Sequence, residues 1–124
     1  MTVTMPLNSA STDASVAPHF AEAKYFAFST DETKPVVESI EEEGGRDIAR
    51  SLIAHDVDVV ITSELEMNPF VLLKSYGLKV FATPNEKMTM EDALAKLHNN
   101  ELTEVTAENY VSLFGDKQHI HACA

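Results

Sequence analysis

Cysteine is almost missing from this chain of 124 residues: Cys123 stands alone, so no intrachain disulfide can form. That makes a cytoplasmic location the simplest expectation. Basic residues are scarce as well. Nine Lys and Arg face twenty Asp and Glu, for a formal net charge of −11. A balance this acidic repels phosphate backbones and anionic lipid surfaces, which argues against nucleic acid and membrane surfaces as partners. No hydrophobic run approaches the ~20 residues of a membrane-spanning helix. The first residues lack the basic start and apolar centre of a secretory signal. Several motifs are missing too: no GxxxxGK[ST] phosphate loop, no GxGxxG after a strand and no GxSxG nucleophile elbow. The expectation is therefore a protein that is not an enzyme.

The chain does have the means to bury a core. Hydrophobic residues make up 44% of it, and its length suits one domain, read here as residues 1–115. Residues 116–124 lack periodicity and read as a mobile tail. The strongest local signal is Val57-Asp58-Val59-Val60-Ile61-Thr62, β-branched and nearly continuous in apolar character. Such a run suits a strand covered on both faces, in the middle of a parallel or mixed sheet.

Other elements follow from spacing. Residues 2–7 read as a first strand, with Pro6 near a strand end or at an edge. The Ser, Thr, Asp and Ala of residues 8–17 form a loop. Residues 23–29, with Tyr25, Phe26 and Phe28, read as an aromatic second strand, and 35–40 as a third. The acids Glu41, Glu42 and Glu43 end at Gly44-Gly45, either as a solvated strand end and turn or as a glycine turn facing an anion. From Gly45, the residues Ile48, Ala49, Leu52 and Ile53 form one helix face, which His55 and Asp56 close. Asn68-Pro69 reads as the N-cap and first residue of a second helix, stopped by Gly77. Leu78 to Ala82 is a further strand, Thr89 caps a third helix, and Thr106 caps a short last one. A meander followed by two helix–strand units predicts a mixed five-stranded sheet, order 3-2-1-4-5, with helices on both faces. Ligands of such sheets sit beyond the carboxyl ends of the strands, which points to residues 63–68.

Chemistry-bearing residues are few. With twenty acids, pairs such as Glu64 and Glu66 arise by chance. A metal-dependent nuclease would need acids on its central strands, where the first strand offers Thr2, Thr4 and Asn8. His19, in the loop between strands 1 and 2, falls beside residues 63–68 in this topology. It reads either as a residue packed between Pro18 and Phe20 or as an imidazole metal ligand. In the tail, His119, His121 and Cys123 share one side if the segment is extended, and they are sound metal ligands. A tail of that composition equally reads as an end that binds metal only adventitiously.

One resemblance ties these signals together. Residues 3–7, then Ser15-Val16-Ala17-Pro18-His19-Phe20-Ala21-Glu22-Ala23-Lys24-Tyr25-Phe26, the glycine pair and helix, Val57 to Thr62 and Gly77-Leu78-Lys79-Val80-Phe81 resemble the dinitrogenase iron–molybdenum cofactor family. The likeness spans roughly residues 3–105. That family includes carriers and insertion proteins of nitrogenase cofactor assembly, together with small archaeal and bacterial relatives. The resemblance implies a ribonuclease H-like α/β fold without nuclease activity. It implies binding of an iron–sulfur or iron–molybdenum type cluster and a protein partner in cluster assembly. It also maps the family's cluster-associated histidine onto His19.

The expected site has His19 as a ligand, Met67 adding a soft thioether and the Asn68 region giving helix-start amides. His121 and Cys123 join as metal ligands if the tail folds back. Two departures stand out: Ala21 replaces the glycine usual after His-Phe, and Ser63-Glu64-Leu65-Glu66-Met67 replaces a glycine-rich turn. The competing function is a metal-free module that binds a protein or a small anion. Nothing in the sequence sets an oligomeric state.

Overall fold

The computed structural model describes residues 1–11, 14–30, 35–83 and 88–115. Six strands are present among the described residues: β1 (Val3–Leu7), β2 (Tyr25–Ser29), β3 (Val36–Ser39), β4 (Val59–Thr62), β5 (Lys79–Ala82) and β6 (Thr103–Val105). They form one sheet in the order β3-β2-β1-β4-β5-β6. β1 runs parallel to β4, and β4 parallel to β5, while the β1–β2, β2–β3 and β5–β6 pairs are antiparallel. The expected order of the first five strands stands, with β4 inside the sheet. The expected count of five is corrected by β6. Three residues, Thr103-Glu104-Val105, are too few to show a period, and only pairing with the edge of β5 makes them a strand.

Among the described residues three α-helices cover the sheet: α1 (Gly45–Ala54), α2 (Met67–Ser75) and α3 (Met90–His98). Side-chain alternation along the strands divides the core in two. On one face Ile48, Ala49 and Leu52 of α1 and Phe70 and Leu73 of α2 pack with Phe26, Phe28, Val60 and Val80. On the other, Met90 and Ala93 of α3 pack with Val3, Met5, Val59 and Ile61. Each large apolar side chain removed from water contributes about 1.5–3 kcal/mol, so both layers are needed to offset chain entropy.

Pro6 lies within β1, a central strand, although proline cannot donate to a ladder. The registered pairing with β4 covers only Val3 and Thr4, so at Pro6 that ladder has already ended. Helix starts also differ from expectation. Glu66, with extended φ −68° and ψ 163°, is the N-cap of α2, and no side chain caps it. Asn68 and Pro69 are the second and third helical residues. A proline fits there because first-turn amides have no partner inside the helix; the bond from Phe70 N–H to Glu66 O (3.1 Å) is made one residue later. Thr89 does cap α3, its hydroxyl accepting from Asp92 N–H at 3.2 Å. The Thr106 carbonyl accepts from Tyr110 N–H at 2.9 Å and its own N–H donates to Asn109 Oδ1 at 2.7 Å, opening a turn that runs into a π-type turn, Val111–Gly115.

Candidate functional site

The site is built where β1 and β4 end. After Leu7 the chain folds back on β1: Ala17 N–H donates to Pro6 O (2.8 Å) and Val16 N–H to Met88 O (2.7 Å). Val16 and Ala17 are buried. A 3₁₀ turn, Phe20–Glu22, is pinned by Phe20, which is buried edge-on against Phe26 with centroids 5.5 Å apart. His19, extended at the head of that turn, is thereby held at the sheet edge while its side chain stays 54% exposed. The packed alternative does not describe this ring: its neighbour Phe20 fills the core and His19 does not.

Across from it, residues 63–66 leave β4 in a tightly tied loop. Thr62 Oγ1 donates to Glu64 O (2.8 Å), and Ser63 and Thr83 share a hydroxyl hydrogen bond of 2.8 Å. Leu65 is fully buried, and its carbonyl accepts from the Tyr110 hydroxyl at 2.5 Å. Tyr110 is itself wedged between Phe70 and Phe114. A loop anchored at three successive residues presents Glu64 in one place. Its Oε2 lies 3.3 Å from His19 Nδ1.

The two loops predicted to meet therefore do meet, through a residue that composition had concealed. Glu64 looked like one member of a chance acid pair, yet its partner is His19 rather than Glu66. The signal that marks it is position, two residues beyond the end of a central parallel strand. Met67 opens α2 and is 45% exposed. Asn68 faces a separate groove between α1 and α2, of about 330 Å³, with Arg46, Val71, Leu72 and Ser75. Gly45 approaches this start closely: an added Cβ would lie 3.0 Å from Pro69 Cγ and 3.7 Å from Ala21 Cβ. His121 and Cys123 lie outside the described residues. His55, read as structural or exposed, stacks on Phe28 at 4.9 Å and bonds Ser51 O through Nδ1 at 2.7 Å.

His19 also walls a cleft of about 310 Å³, shared with Leu7, Asn8, Pro18, Lys24 and Tyr25. Among the described residues, no group of three or more His, Cys, Asp and Glu is arranged to hold a metal ion. Nor is any described helix long and apolar enough to cross a membrane. A single imidazole beside a carboxylate, at the mouth of a cleft, can contribute one bond to a species that brings its other ligands with it.

Residues 1–100 match the model of the family described as dinitrogenase iron-molybdenum cofactor. The chain belongs to that family. Solved structures of the same kind include a Thermotoga protein assigned to NifB, 26% identical, with 86% of this chain and 94% of that one covered at a TM-score of 0.72. The apo form of the orange protein from Desulfovibrio gigas is 17% identical, covering 85% and 92% at 0.75. A Methanocaldococcus jannaschii protein assigned as a dinitrogenase is 13% identical, covering 86% and 95% at 0.67. The last two likenesses concern the fold. No curated protein matches the sequence. These neighbours share the α/β sheet and helices described above, and the family is related to nitrogenase cofactor biosynthesis.

Proposed function

We propose that the chain is a non-enzymatic carrier or assembly accessory for an iron–sulfur or iron–molybdenum type cluster, built on a ribonuclease H-like fold. The observation that carries this reading is the placement of His19. The fold holds an imidazole half in solvent, at the carboxyl edge of β1 and β4, with a carboxylate 3.3 Å from Nδ1. A carboxylate on one ring nitrogen favours the proton there and leaves Nε2 as the ligand, the arrangement common to metal-bound histidines.

The donor set fits a preassembled cluster better than a bare ion. A bare transition-metal ion needs about four protein or solvent donors at fixed geometry. A cluster brings bridging sulfides and needs only a few contacts from its carrier. Met67, exposed at the head of α2, supplies a polarizable thioether close in sequence to Glu64. His121 and Cys123 are the further ligands if residues 116–124 reach the site. Handover to an assembly protein is the step such a carrier serves.

Replacing His19 by Ala should largely abolish cluster uptake in an anaerobic titration and leave the melting temperature of the apo protein nearly unchanged, since the ring is exposed. Metal analysis of protein purified anaerobically without an affinity tag is the companion measurement. Metal-free protein that also takes up no cluster in the titration would favour the competing module, which binds a protein or a small anion through the same fold.

A further inference from the structure

On the carrier reading above, we infer that the ligand of His19 is anionic, that it approaches from the cleft side, and that Lys24 is its cationic contact while Glu64 positions the imidazole. The two sides of His19 differ in charge. On one side stands Glu64, with its oxygen 3.3 Å from Nδ1. Like charge disfavours an anion there. On the other side lies the cleft of about 310 Å³, where Lys24 is exposed and makes no ion pair with any described residue. Its backbone is fixed, since Lys24 O accepts from Ile40 N–H at 2.7 Å and the next residue, Tyr25, is registered with Leu7 of β1. The ammonium thus swings from a rigid point at the rim of the cleft. Nε2 of His19 is the ring nitrogen directed away from Glu64. Glu22 is the one acid of the cleft lining, opposing a single Lys24 charge.

The test uses full-length, tag-free protein and two probes. A synthetic iron–sulfur cluster dianion, [Fe4S4(SR)4]2−, whose terminal thiolates an imidazole can replace, is titrated anaerobically by its visible absorption, and Co(II) serves as the cationic probe. The dianion should bind, more weakly as salt rises. Lys24→Gln should weaken it about tenfold, as expected for one lost charge-assisted contact. Lys24→Glu should weaken it further, and Glu22→Gln should tighten it. For Glu64, ¹⁵N shifts of His19 should report the Nδ1–H tautomer in the parent and in Glu64→Gln, whose amide oxygen still accepts that proton. In Glu64→Ala the tautomer preference and part of the affinity should be lost.

Lys24 variants that bind the dianion like the parent, while His19→Ala does not, would overturn the Lys24 assignment and leave the carrier reading standing. Co(II) binding that needs His19 and Glu64, with no dianion binding, would make this a cation site. An unchanged tautomer and affinity in Glu64→Ala would remove the positioning role. A parent protein that binds neither probe and takes up no cluster would sink this inference and the carrier reading together.

Discussion

Single residues hold the candidate site in shape. Tyr110 spans from the last described turn to the loop after β4 and satisfies the carbonyl of buried Leu65. Tyr110→Phe keeps the ring packing and removes only the hydroxyl. One buried hydrogen bond contributes about 0.5–1.5 kcal/mol, so urea denaturation should show a loss of that size. The same variant should broaden the NMR signals of Glu64 and His19. Gly44 is the second such residue. Its φ of 88° and ψ of 147° place it where only glycine sits comfortably, just before α1. Gly44→Ala should lose about 1–3 kcal/mol in the same assay, although nothing lies within 4 Å to clash with a Cβ. That contrast separates backbone strain from packing.

At the scale of elements, helix starts decide what faces the site. Thr89 caps α3 through its hydroxyl, and Thr89→Ala should destabilise the protein by about 1 kcal/mol, read from the shift in melting temperature. The start of α2 is different. Asn68-Pro69 has the composition of a cap and a first residue, but the helix begins two residues earlier, at Met67, without a side-chain cap. Burial of Leu65 and the anchoring of its carbonyl set where the chain turns, and this overrides the local preference of Asn68. The consequence is functional: Met67 becomes a helix residue beside the loop, and Asn68 turns toward the α1–α2 groove. Strand β6 follows the same logic. An exposed edge of β5 is open to pairing, and Thr103–Val105 occupies it.

For the whole molecule the dominant quantity is charge. With a formal net charge of −11, self-repulsion opposes the compact state. The ion pairs Lys74–Glu104 and Lys96–Glu101, both 3.8 Å and partly exposed, offset little, at roughly 0–1 kcal/mol each. Moderate salt should therefore raise the melting temperature, because screening relieves more repulsion than it removes attraction. A melting temperature that falls between 20 and ~300 mM salt would show that attractive pairs dominate; at the upper value the Debye length is well below 10 Å. Salt should act oppositely on the dianion titration, weakening it.

By itself the sequence determined the layers and the order of the first five strands. The β-branched run of β4, the aromatic β2 and the one-sided faces of α1 and α3 are periodic patterns, and burial of apolar surface acts on such patterns directly. The same patterns placed the loop carrying His19 beside the loop that leaves β4. Only the tertiary structure decided the contents of the site. Glu64 is one of twenty acids and Lys24 one of nine basic residues, and neither carries a local signal. Their roles come from long-range contacts: Phe20 on Phe26 fixes His19, and Tyr110 on Leu65, 45 residues apart, fixes the loop of Glu64. A pattern within a few turns of chain can report which face is buried. It cannot report which side chains a closed sheet edge brings within 3.3 Å of one another.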